Sequence, residues 1–317
     1  MLDVVVVKKT RETEDIVSLE LARPDGLALP AFEPGAHIDV HLPNGLLRQY
    51  SLCNHPGETH RYLIAVLKEP DSRGGSVALH EQVEVDDRLQ ISEPRNLFPM
   101  AEHAERTLLF AGGIGITPLL GMAHALSDAK ADFELHYSAR SRNGMAFAER
   151  IMDSAFADRV TFHISAEGQS HRLDADALLA TPRPGTHLYV CGPARFMDYV
   201  LDSAKANGWP SEQVHREYFS AAPVDHTQDG SFEVEIKSTG EVIAIPADRS
   251  ALHVLEEAGF DIPMSCEEGV CGTCLTRVLA GEPDHRDLFM TDEEHALNDQ
   301  FTPCCSRARS GRLLLDL

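Results

Sequence analysis

Residues 266–274 read CEEGVCGTC, and this stretch decides how the rest of the chain is interpreted. Its cysteines are spaced Cys266-x4-Cys271-x2-Cys274, and Cys304 follows 30 positions after Cys274. Five of the 7 cysteines lie in the last 52 positions of the 317-residue chain. An odd number of cysteines clustered in one region predicts metal coordination rather than a disulfide framework.

The spacing distinguishes two kinds of metal site. C-x4-C-x2-C with one distant cysteine is the plant-type ferredoxin spacing, which holds a 2Fe-2S cluster on four thiolates. A structural zinc site usually pairs two C-x2-C knuckles instead. Gly269, Gly272 and Thr273 leave backbone N–H groups free to point at the sulfur atoms and stabilise a reduced cluster. The predicted cluster ligands are Cys266, Cys271 and Cys274, with either Cys304 or Cys305 as the fourth, because both lie within reach.

The sequence before this motif predicts a small β domain. Residues 232–237 alternate apolar and charged side chains, and Val242 to Ile245 returns as the partner strand of a hairpin. Ser250 is expected to cap a short helix that runs through Ala258. A polar stretch from Ala221 to Gly230 reads as a linker in front of this domain.

The middle of the chain alternates strands and helices. Strands are predicted at 107–111, 133–137, 160–164 and 187–191, which implies a parallel sheet with ligands bound beyond the carboxyl ends of its strands. The first strand runs into the loop AGGIGITP (111–118), whose glycines let a dinucleotide approach the backbone. The last strand ends in YVCGP (189–193). The uncharged run 108–126 is long enough for a membrane span, but its glycines and Pro118 favour strand, turn and helix instead.

The first hundred residues carry short β-branched or alternating runs separated by turn residues. These runs, at 4–7, 16–21, 36–42, 46–52 and 62–67, predict a small antiparallel barrel. One of them contains Arg48-Gln49-Tyr50-Ser51-Leu52, and an arginine fork suits a phosphate group. Downstream, Arg73-Gly74-Gly75-Ser76 opens a helix whose free N–H groups offer a second phosphate contact.

Composition excludes several classes of protein. With 43% hydrophobic residues, 25% charged residues and a net charge of -22, the chain is an ordinary globular protein and has the wrong sign of charge for a nucleic-acid binder. About half of the acidic excess lies in the last third, where residues 229–317 hold 18 acidic and 7 basic side chains. The N-terminus lacks a secretory signal, so a cytoplasmic location is expected. Hydrolase motifs such as HExxH and G-x-S-x-G are absent from the sequence.

Taken together, the three groups of motifs resemble the phthalate dioxygenase reductase family, which includes the reductase subunits of vanillate O-demethylase and toluenesulfonate monooxygenase. The resemblance covers essentially the whole chain and has the ferredoxin domain last. It implies a multi-domain α/β and β fold: an antiparallel flavin-binding β-barrel, a parallel-sheet nucleotide-binding α/β domain and a C-terminal β-grasp ferredoxin domain. The expected boundaries are 1–102, 103–222, a linker at 223–230, and 231–317.

The resemblance also implies roles for individual residues. Arg48 would meet the flavin phosphate, Tyr50 and Ser51 would border the isoalloxazine, and Cys191 would lie beside the nicotinamide. Tyr218 and Phe219 are the candidates for the aromatic side chain that covers the flavin face. The resemblance also favours Cys304 over Cys305 as the fourth cluster ligand. Ser51, Thr117 and Cys191 are the expected catalytic residues. The further cofactor-binding residues expected by resemblance are Ala65, Val66, Leu67, Gly74, Gly75, Ser76, Gly112, Gly113, Gly115, Thr117, Pro118, Arg140, Gly192, Pro193 and Phe219.

In function, the resemblance implies a reductase that takes a hydride from NADH onto FMN. It would pass electrons singly through the 2Fe-2S cluster to a Rieske-type terminal oxygenase acting on an aromatic acid. FAD in place of FMN and NADPH in place of NADH are left open by the residues themselves, because Arg140, Ser141 and Arg142 follow the second strand of the sheet. Two rival hypotheses are a reductase for a quaternary-amine monooxygenase and a non-enzymatic binding module with a structural zinc.

Overall fold

The computed structural model describes residues 1–70, 72–220 and 229–317. The chain divides into two units, Met1–Glu217 and Tyr218–Leu317. Most of the predicted linker, residues 223–228, lies outside the described residues. The first unit contains both the predicted barrel and the predicted parallel sheet, and the domain boundaries expected from sequence stay predictions.

The first sheet has six antiparallel strands in the order β4-β3-β6-β1-β2-β5. Just beyond β4, the N–H of Cys53 donates to the carbonyl of Leu63 in β5 at 2.9 Å, so the two edge strands meet and the sheet closes into a barrel. Its strands and helix are β1 (Leu2–Arg11), β2 (Ile16–Ala22), β3 (His37–His41), β4 (Leu47–Ser51), β5 (Tyr62–Leu67), α1 (Gly75–Glu81) and β6 (Arg88–Ile91).

The second sheet is parallel throughout, with the order β11-β10-β7-β8-β9. The first strand of this sheet in the chain, β7, lies in the middle. The next two strands follow on one side of it and the last two on the other, which creates a topological switch point at the carboxyl edge. The elements are β7 (Arg106–Gly112), α2 (Ile116–Asp128), β8 (Asp132–Ala139), α3 (Ala148–Met152), β9 (Val160–Ile164), α4 (Ala175–Leu179), β10 (Thr186–Cys191), α5 (Ala194–Ala206) and β11 (Val214–Glu217).

The uncharged run 108–126 forms the end of β7, a 3-10 turn over Gly113–Gly115 and most of α2. The prediction of strand, turn and helix is therefore confirmed. In the part of the chain that the structure describes, no helix is both long enough and apolar enough to cross a membrane.

Barrel and parallel sheet share one hydrophobic core. Buried side chains of the barrel, including Leu63 and Ala65, pack in the same cluster as Leu109 of β7 and Ile116 of α2. A separate core, which includes Val4 and Leu19, fills the inside of the barrel. Because apolar burial stabilises by about 25 cal/mol per Å², the shared cluster binds the two sheets into one unit.

The second unit is a five-stranded sheet in the order β13-β12-β18-β14-β16 that packs against a short helix, with β12 and β18 parallel. Ser250 caps the helix, as predicted, by accepting a hydrogen bond from the N–H of His253 at 3.3 Å. The elements are β12 (Phe232–Ile236), β13 (Val242–Ile245), α6 (Ala251–Glu257), β14 (Thr276–Ala280), β15 (Pro283–Asp284), α7 (Asp292–Leu297), β16 (Gln300–Phe301), β17 (Arg307–Ala308) and β18 (Arg312–Leu315).

Candidate functional site: two cofactor centres

Two glycine-containing motifs meet at the carboxyl edge of the parallel sheet. β7 and β10 are neighbours, so the turn that follows β7 lies against the C-G-P sequence that ends β10. A Cβ on Gly115 would stand 2.2 Å from the carbonyl oxygen of Cys191, and one on Gly192 would stand 2.9 Å from the Cα of Gly112. Glycine is therefore required for the two strand ends to approach this closely.

The turn between β7 and α2 presents an open backbone surface. Gly113 has a φ of +52°, and no heavy atom lies within 4 Å of the position that its Cβ would occupy. Thr117 is buried and donates its hydroxyl to the carbonyl of Ile114 at 3.0 Å, and Pro118 stands in the first turn of α2. Pro193 directly precedes α5 on the neighbouring side, and Arg140 is exposed just after β8. This edge can therefore accommodate an extended ligand over its backbone.

A carboxylate that the sequence analysis missed lies at the same edge. Glu217 is the last residue of β11 and pairs in register with Cys191. Burial raises the pKa of Glu217 to about 8, and the neighbouring Ser51 hydroxyl partly offsets this rise. Its Oε2 is buried and has no hydrogen-bond partner in the structure. A neutral carboxyl with one unsatisfied oxygen is a feature of a binding or catalytic site.

Ser51, Cys191 and Glu217 thus come together from three strands, although they are far apart in the sequence. Ser51 ends β4 and is buried, and Cys191 is fully buried at the end of β10. Burial, together with the nearby Glu217, raises the pKa of the Cys191 thiol well above its usual range, so the thiol stays protonated. The cluster can orient a polar ligand and hold a proton on Glu217, but it offers no thiolate nucleophile.

The predicted phosphate motif is assembled on the barrel. Arg48 in β4 packs against the start of α1, where a Cβ on Gly75 would stand 2.9 Å from the arginine Cγ. Gly74 precedes the helix with a φ of +98°, and no side chain caps the helix N-terminus. Ser76 donates its hydroxyl to Ser72 at 2.9 Å. The structure therefore brings Arg48, Gly74, Gly75 and Ser76 together, as the sequence motifs suggested.

The other flavin residues expected by resemblance lie on β4 and β5. Tyr50 is half-buried against the barrel core, and burial raises the pKa of its hydroxyl. Ala65 and Leu67 pack in the cluster shared with the parallel sheet, whereas the Val66 side chain points into the barrel interior. Phe219 is 41% exposed and belongs to the second unit, so its predicted place over the flavin stays a prediction.

The second centre is formed by five free cysteines in the second unit. The Cys266 and Cys271 thiols hydrogen-bond to each other, and so do those of Cys274 and Cys304. The thiol of Cys266 and the N–H of Thr273 lower the pKa of Cys271. The four predicted ligands therefore form one group, in two contacting pairs.

The backbone around these thiols is shaped for a cluster. The N–H groups of Glu268 and Thr273 donate to the sulfurs of Cys266 and Cys271, both at 3.4 Å. Gly269 and Gly272 have φ angles of +74° and +65°, and a Cβ on either would collide with neighbouring side chains. The donor set of four thiols with N–H···S hydrogen bonds fits a 2Fe-2S cluster and matches the prediction.

Cys304 and Cys305 occupy different surroundings. Cys304 contacts both Cys274 and Cys305, and it lines a cavity of about 220 Å³ beside Ser250 and His253. The Cys305 sulfur instead lies 3.3 Å from the Thr302 hydroxyl and 3.8 Å from that of Ser306. This arrangement favours Cys304 as the fourth ligand and leaves Cys305 as a neighbour.

Comparison with known proteins agrees with both centres. Residues 234–309 match the family profile described as "2Fe-2S iron-sulfur cluster binding domain". Residues 92–214 match that described as "Dimethylamine monooxygenase subunit DmmA-like, N-terminal domain". The chain is 60% identical over 318 residues to a vanillate O-demethylase oxidoreductase of Pseudomonas putida, with 100% of both chains covered. It is 39% identical to the phthalate dioxygenase reductase of Burkholderia cepacia, over 98% of this chain and 96% of the relative.

Solved structures give the same result. A structure of phthalate dioxygenase reductase, described as modular for electron transfer from pyridine nucleotides to [2Fe-2S], matches with 39% identity and a TM-score of 0.76, covering 100% of this chain and 98% of that one. An intact type IV self-sufficient cytochrome P450 monooxygenase matches with 37% identity and a TM-score of 0.89 over 100% of this chain. The chain spans only 41% of the length of that monooxygenase.

These findings confirm the fold class, the enzyme class and the cofactors predicted from the sequence. The two site geometries, the match to the iron–sulfur domain and the full-length relatives agree with one another. The chain belongs to the phthalate dioxygenase reductase family of NADH-dependent flavin and iron–sulfur oxidoreductases, the reductase components of oxygenase systems.

Proposed function

We propose that this protein delivers electrons from NADH, singly, to a Rieske-type terminal oxygenase that demethylates or dihydroxylates an aromatic acid. The observation that carries the proposal is the pairing of two centres in one chain: Ser51, Cys191 and Glu217 meet beside an open glycine turn, and four thiols form one group in the other unit. Relatives named for vanillate O-demethylase and phthalate dioxygenase support the class of partner and substrate.

When bound, FMN accepts two electrons at once as a hydride, and the 2Fe-2S cluster accepts them one at a time. Arg48 and the backbone N–H groups at Gly74 to Ser76 would hold the flavin phosphate by charge-assisted hydrogen bonds. Tyr50 and Ser51 would border the flavin ring, and β5 would contribute Ala65, Val66 and Leu67 to the same site. These residues fix the position of the flavin relative to the parallel sheet, because the barrel and that sheet share a core.

The dinucleotide would lie across the carboxyl edge of the parallel sheet. Gly113 leaves the backbone accessible, whereas Gly112 and Gly115 are packed against neighbouring groups that leave no room for a side chain. Thr117 and Pro118 lie in the first turn of the helix that would face the ligand. Cys191, Gly192 and Pro193 close the other side of the edge. Arg140 would contact the ribose end, and Phe219 is retained from the resemblance as the candidate aromatic for the flavin face.

Glu217 has a defined protonation state in this proposal. With a pKa of about 8 the carboxyl carries a proton at neutral pH, so the buried pocket beside Ser51 and Cys191 is uncharged. The unpartnered Oε2 is available to a polar group of the nicotinamide. In this way Glu217 would orient the reacting ring and exclude water without placing a negative charge beside it.

Cys266, Cys271, Cys274 and Cys304 would hold the cluster in the second unit. We place this reaction in the cytoplasm, where NADH is available and thiols stay reduced.

A second candidate substrate class has its own support. The profile matched by residues 92–214 is named for a dimethylamine monooxygenase, so an oxygenase acting on an alkylamine or quaternary amine is the alternative partner.

The proposal is tested in two stages. First, the anaerobic visible spectrum of the purified protein, supplied with FMN and iron, is recorded before and after NADH is added. Flavin and iron–sulfur bands that bleach with NADH are expected. A featureless spectrum in this preparation would contradict the electron-transfer function itself.

Second, the reduced protein is mixed with a Rieske-type aromatic-acid demethylase and, in parallel, with a Rieske-type amine monooxygenase. Consumption of NADH that requires both the aromatic oxygenase and its methoxybenzoate substrate is expected. Turnover with the amine system alone would leave the electron-transfer function standing and replace the proposed partner.

A further inference from the structure

A group of three side chains of metal-ligand type lies in the second unit, called the iron–sulfur unit below, outside the cysteine site. His285 follows β15, Asp287 lies two residues further on, and His295 projects from α7. One donor atom from each side chain lies within 4.8 Å of the other two. Two imidazoles and one carboxylate form a donor set that suits zinc and similar divalent transition metals.

His285 offers an unused lone pair to this group. Its Nε2 lies 3.3 Å from the Oδ1 of Asn298, and a carbonyl oxygen can only accept, so Nε2 carries the proton. The Nδ1 is therefore the basic nitrogen, and it is buried without a hydrogen-bond partner, in a side chain only 8% exposed. Histidine ligands of metals are typically fixed in this way, with the other ring nitrogen donating to an oxygen.

Asp287 supplies a buried carboxyl group that has neither arginine nor lysine among its ion-pair partners in the described residues. Its side chain is completely buried, and among the described residues its ion-pair partners are His285 and His295 alone. Its oxygens also accept hydrogen bonds from the N–H of Met290 at 2.8 Å and the hydroxyl of Thr302 at 3.3 Å. A buried carboxylate is stabilised by a cation close to it.

The distances suit a small cation after a modest adjustment. The Nδ1 of His285 lies 4.0 Å from the Oδ1 of Asp287, and the Nε2 of His295 lies 3.2 Å from both carboxylate oxygens. Ligand atoms around a tetrahedral zinc are roughly 3.4 Å apart, given bonds of about 2.1 Å. His285 therefore has to approach Asp287 more closely. Because the two imidazole rings stack at 4.4 Å with their planes 18° apart, the partly exposed ring of His295 also has to turn before both lone pairs point at one ion. The exposed side of His295 leaves a solvent-facing position for a water ligand.

We propose that His285, Asp287 and His295 form a binding site for one divalent transition-metal ion of the zinc class, separate from the 2Fe-2S cluster. The ion would tie the two ends of the segment Asp284–Asn298 to each other, because His285 and Asp287 lie near its start and His295 lies near its end. That segment also contacts the cysteine loop, since the N–H of Leu288 donates to the carbonyl of Gly269 at 3.0 Å. Asp287 is also connected through the Thr302 hydroxyl to the Cys305 sulfur.

The test uses the intact holoprotein with its iron content measured before and after each step. After treatment with a chelator and desalting, the protein is titrated calorimetrically with zinc chloride. One zinc per chain is expected, with no loss of iron. His295→Ala and His285→Phe should each weaken zinc binding at least about tenfold. His285→Phe keeps an aromatic ring against His295, with which His285 stacks at 4.4 Å.

His171→Ala is the matched control, because it removes an exposed imidazole beside a carboxylate, that of Glu167, in the other unit. Its zinc affinity should equal that of the unmodified protein. Equal affinity in His295→Ala would overturn the proposal, as would the absence of zinc binding or a fall in iron content that matches the zinc taken up. If the site held a buried water instead of an ion, no zinc binding would be observed.

A spectroscopic readout places the ion near the cluster. Cobalt(II) is added instead of zinc, and the electron paramagnetic resonance signal of the reduced cluster is recorded. Faster relaxation of this signal is expected in the unmodified protein and in His171→Ala. The effect should be absent in His295→Ala, and an equal effect in that variant would contradict the assignment.

Discussion

At the residue scale, the two adjacent cysteines before Ser306 have different surroundings. Cys304 contacts Cys274, whereas the Cys305 sulfur is hydrogen-bonded within its own loop through Thr302. We expect Cys304→Ser to lose the cluster and Cys305→Ser to retain it, measured as iron content and visible absorbance per chain. Each variant serves as the control for the other, because both replace a sulfur atom by oxygen and the two positions are adjacent. Loss of iron in Cys305→Ser with retention in Cys304→Ser would exchange the two assignments.

The pKa of Glu217 gives a second prediction at this scale. Below a pH of about 4.5 the carboxyl is protonated in both the folded and the unfolded chain. As the pH rises toward 8, the unfolded chain releases the proton while the folded chain keeps it, so the free energy of unfolding falls. The shift from 4.5 to about 8 corresponds to about 5 kcal/mol at most.

Replacing Glu217 by Gln removes this titration while keeping the shape of the side chain. The stability difference between Glu217→Gln and the unmodified protein should therefore grow in favour of the variant from pH 5 to pH 8. Thermal unfolding of the two proteins in the same buffers measures that difference. A difference that does not change with pH would show that Glu217 is ionised in the folded protein.

The sequence pointed to the cysteine group but not to Glu217, and the reason is physical. Cys266, Cys271 and Cys274 follow a local spacing, so the backbone between them already constrains their positions. Glu217 acquires its raised pKa from burial beside Ser51 and Cys191, which come from strands remote in the sequence. Its position at the end of a strand, directly before the aromatic pair 218–219, was the available signal.

At the element scale, the turn between β7 and α2 depends on contact with the end of β10. We expect Gly115→Ala to destabilise the first unit by about 3 kcal/mol, because its Cβ would overlap the Cys191 carbonyl oxygen and neither backbone can move easily. This corresponds to a fall in melting temperature of about 6 to 12 °C. Reduction of the bound flavin by NADH should slow as well.

Gly144→Ala is the control for this substitution. A Cβ there would meet only the Ser141 hydroxyl oxygen, at an ordinary 3.6 Å. Its melting temperature should lie within about 2 °C of the unmodified value. Equal melting temperatures for both variants would mean that the strand ends can separate without cost.

Most elements could be predicted because their apolar periodicity is strong. The predicted strand at 160–164, for example, has the observed bounds. β6 and β11 were missed, since each has four residues and β11 reads VHRE, with one apolar side chain. Such strands form because neighbouring strands supply hydrogen bonds, and a local pattern does not reveal them.

At the scale of the whole molecule, charge is distributed unevenly. Residues 229–317 hold 18 acidic and 7 basic side chains, so the iron–sulfur unit carries a strong negative charge. We expect NADH-dependent reduction of the basic protein cytochrome c to slow several-fold when ionic strength rises from about 0.02 to 0.2 M, because salt screens the attraction.

Ferricyanide, a small anion, serves as the comparison acceptor for that experiment. Its reduction should not slow over the same range, because it is repelled by acidic surfaces rather than attracted. An equal decline with both acceptors would indicate that salt acts on NADH binding instead of on docking.

The shared core of barrel and parallel sheet was not predictable from sequence, because buried residues of both sheets read as ordinary interiors of separate domains. It has a kinetic consequence. The first unit contains both the elements proposed to bind NADH and those proposed to bind FMN. Once both are bound, hydride donor and acceptor are therefore already held in fixed positions relative to each other. Flavin reduction at saturating NADH should therefore be independent of solvent viscosity, and stopped-flow measurements in glycerol or sucrose would measure this.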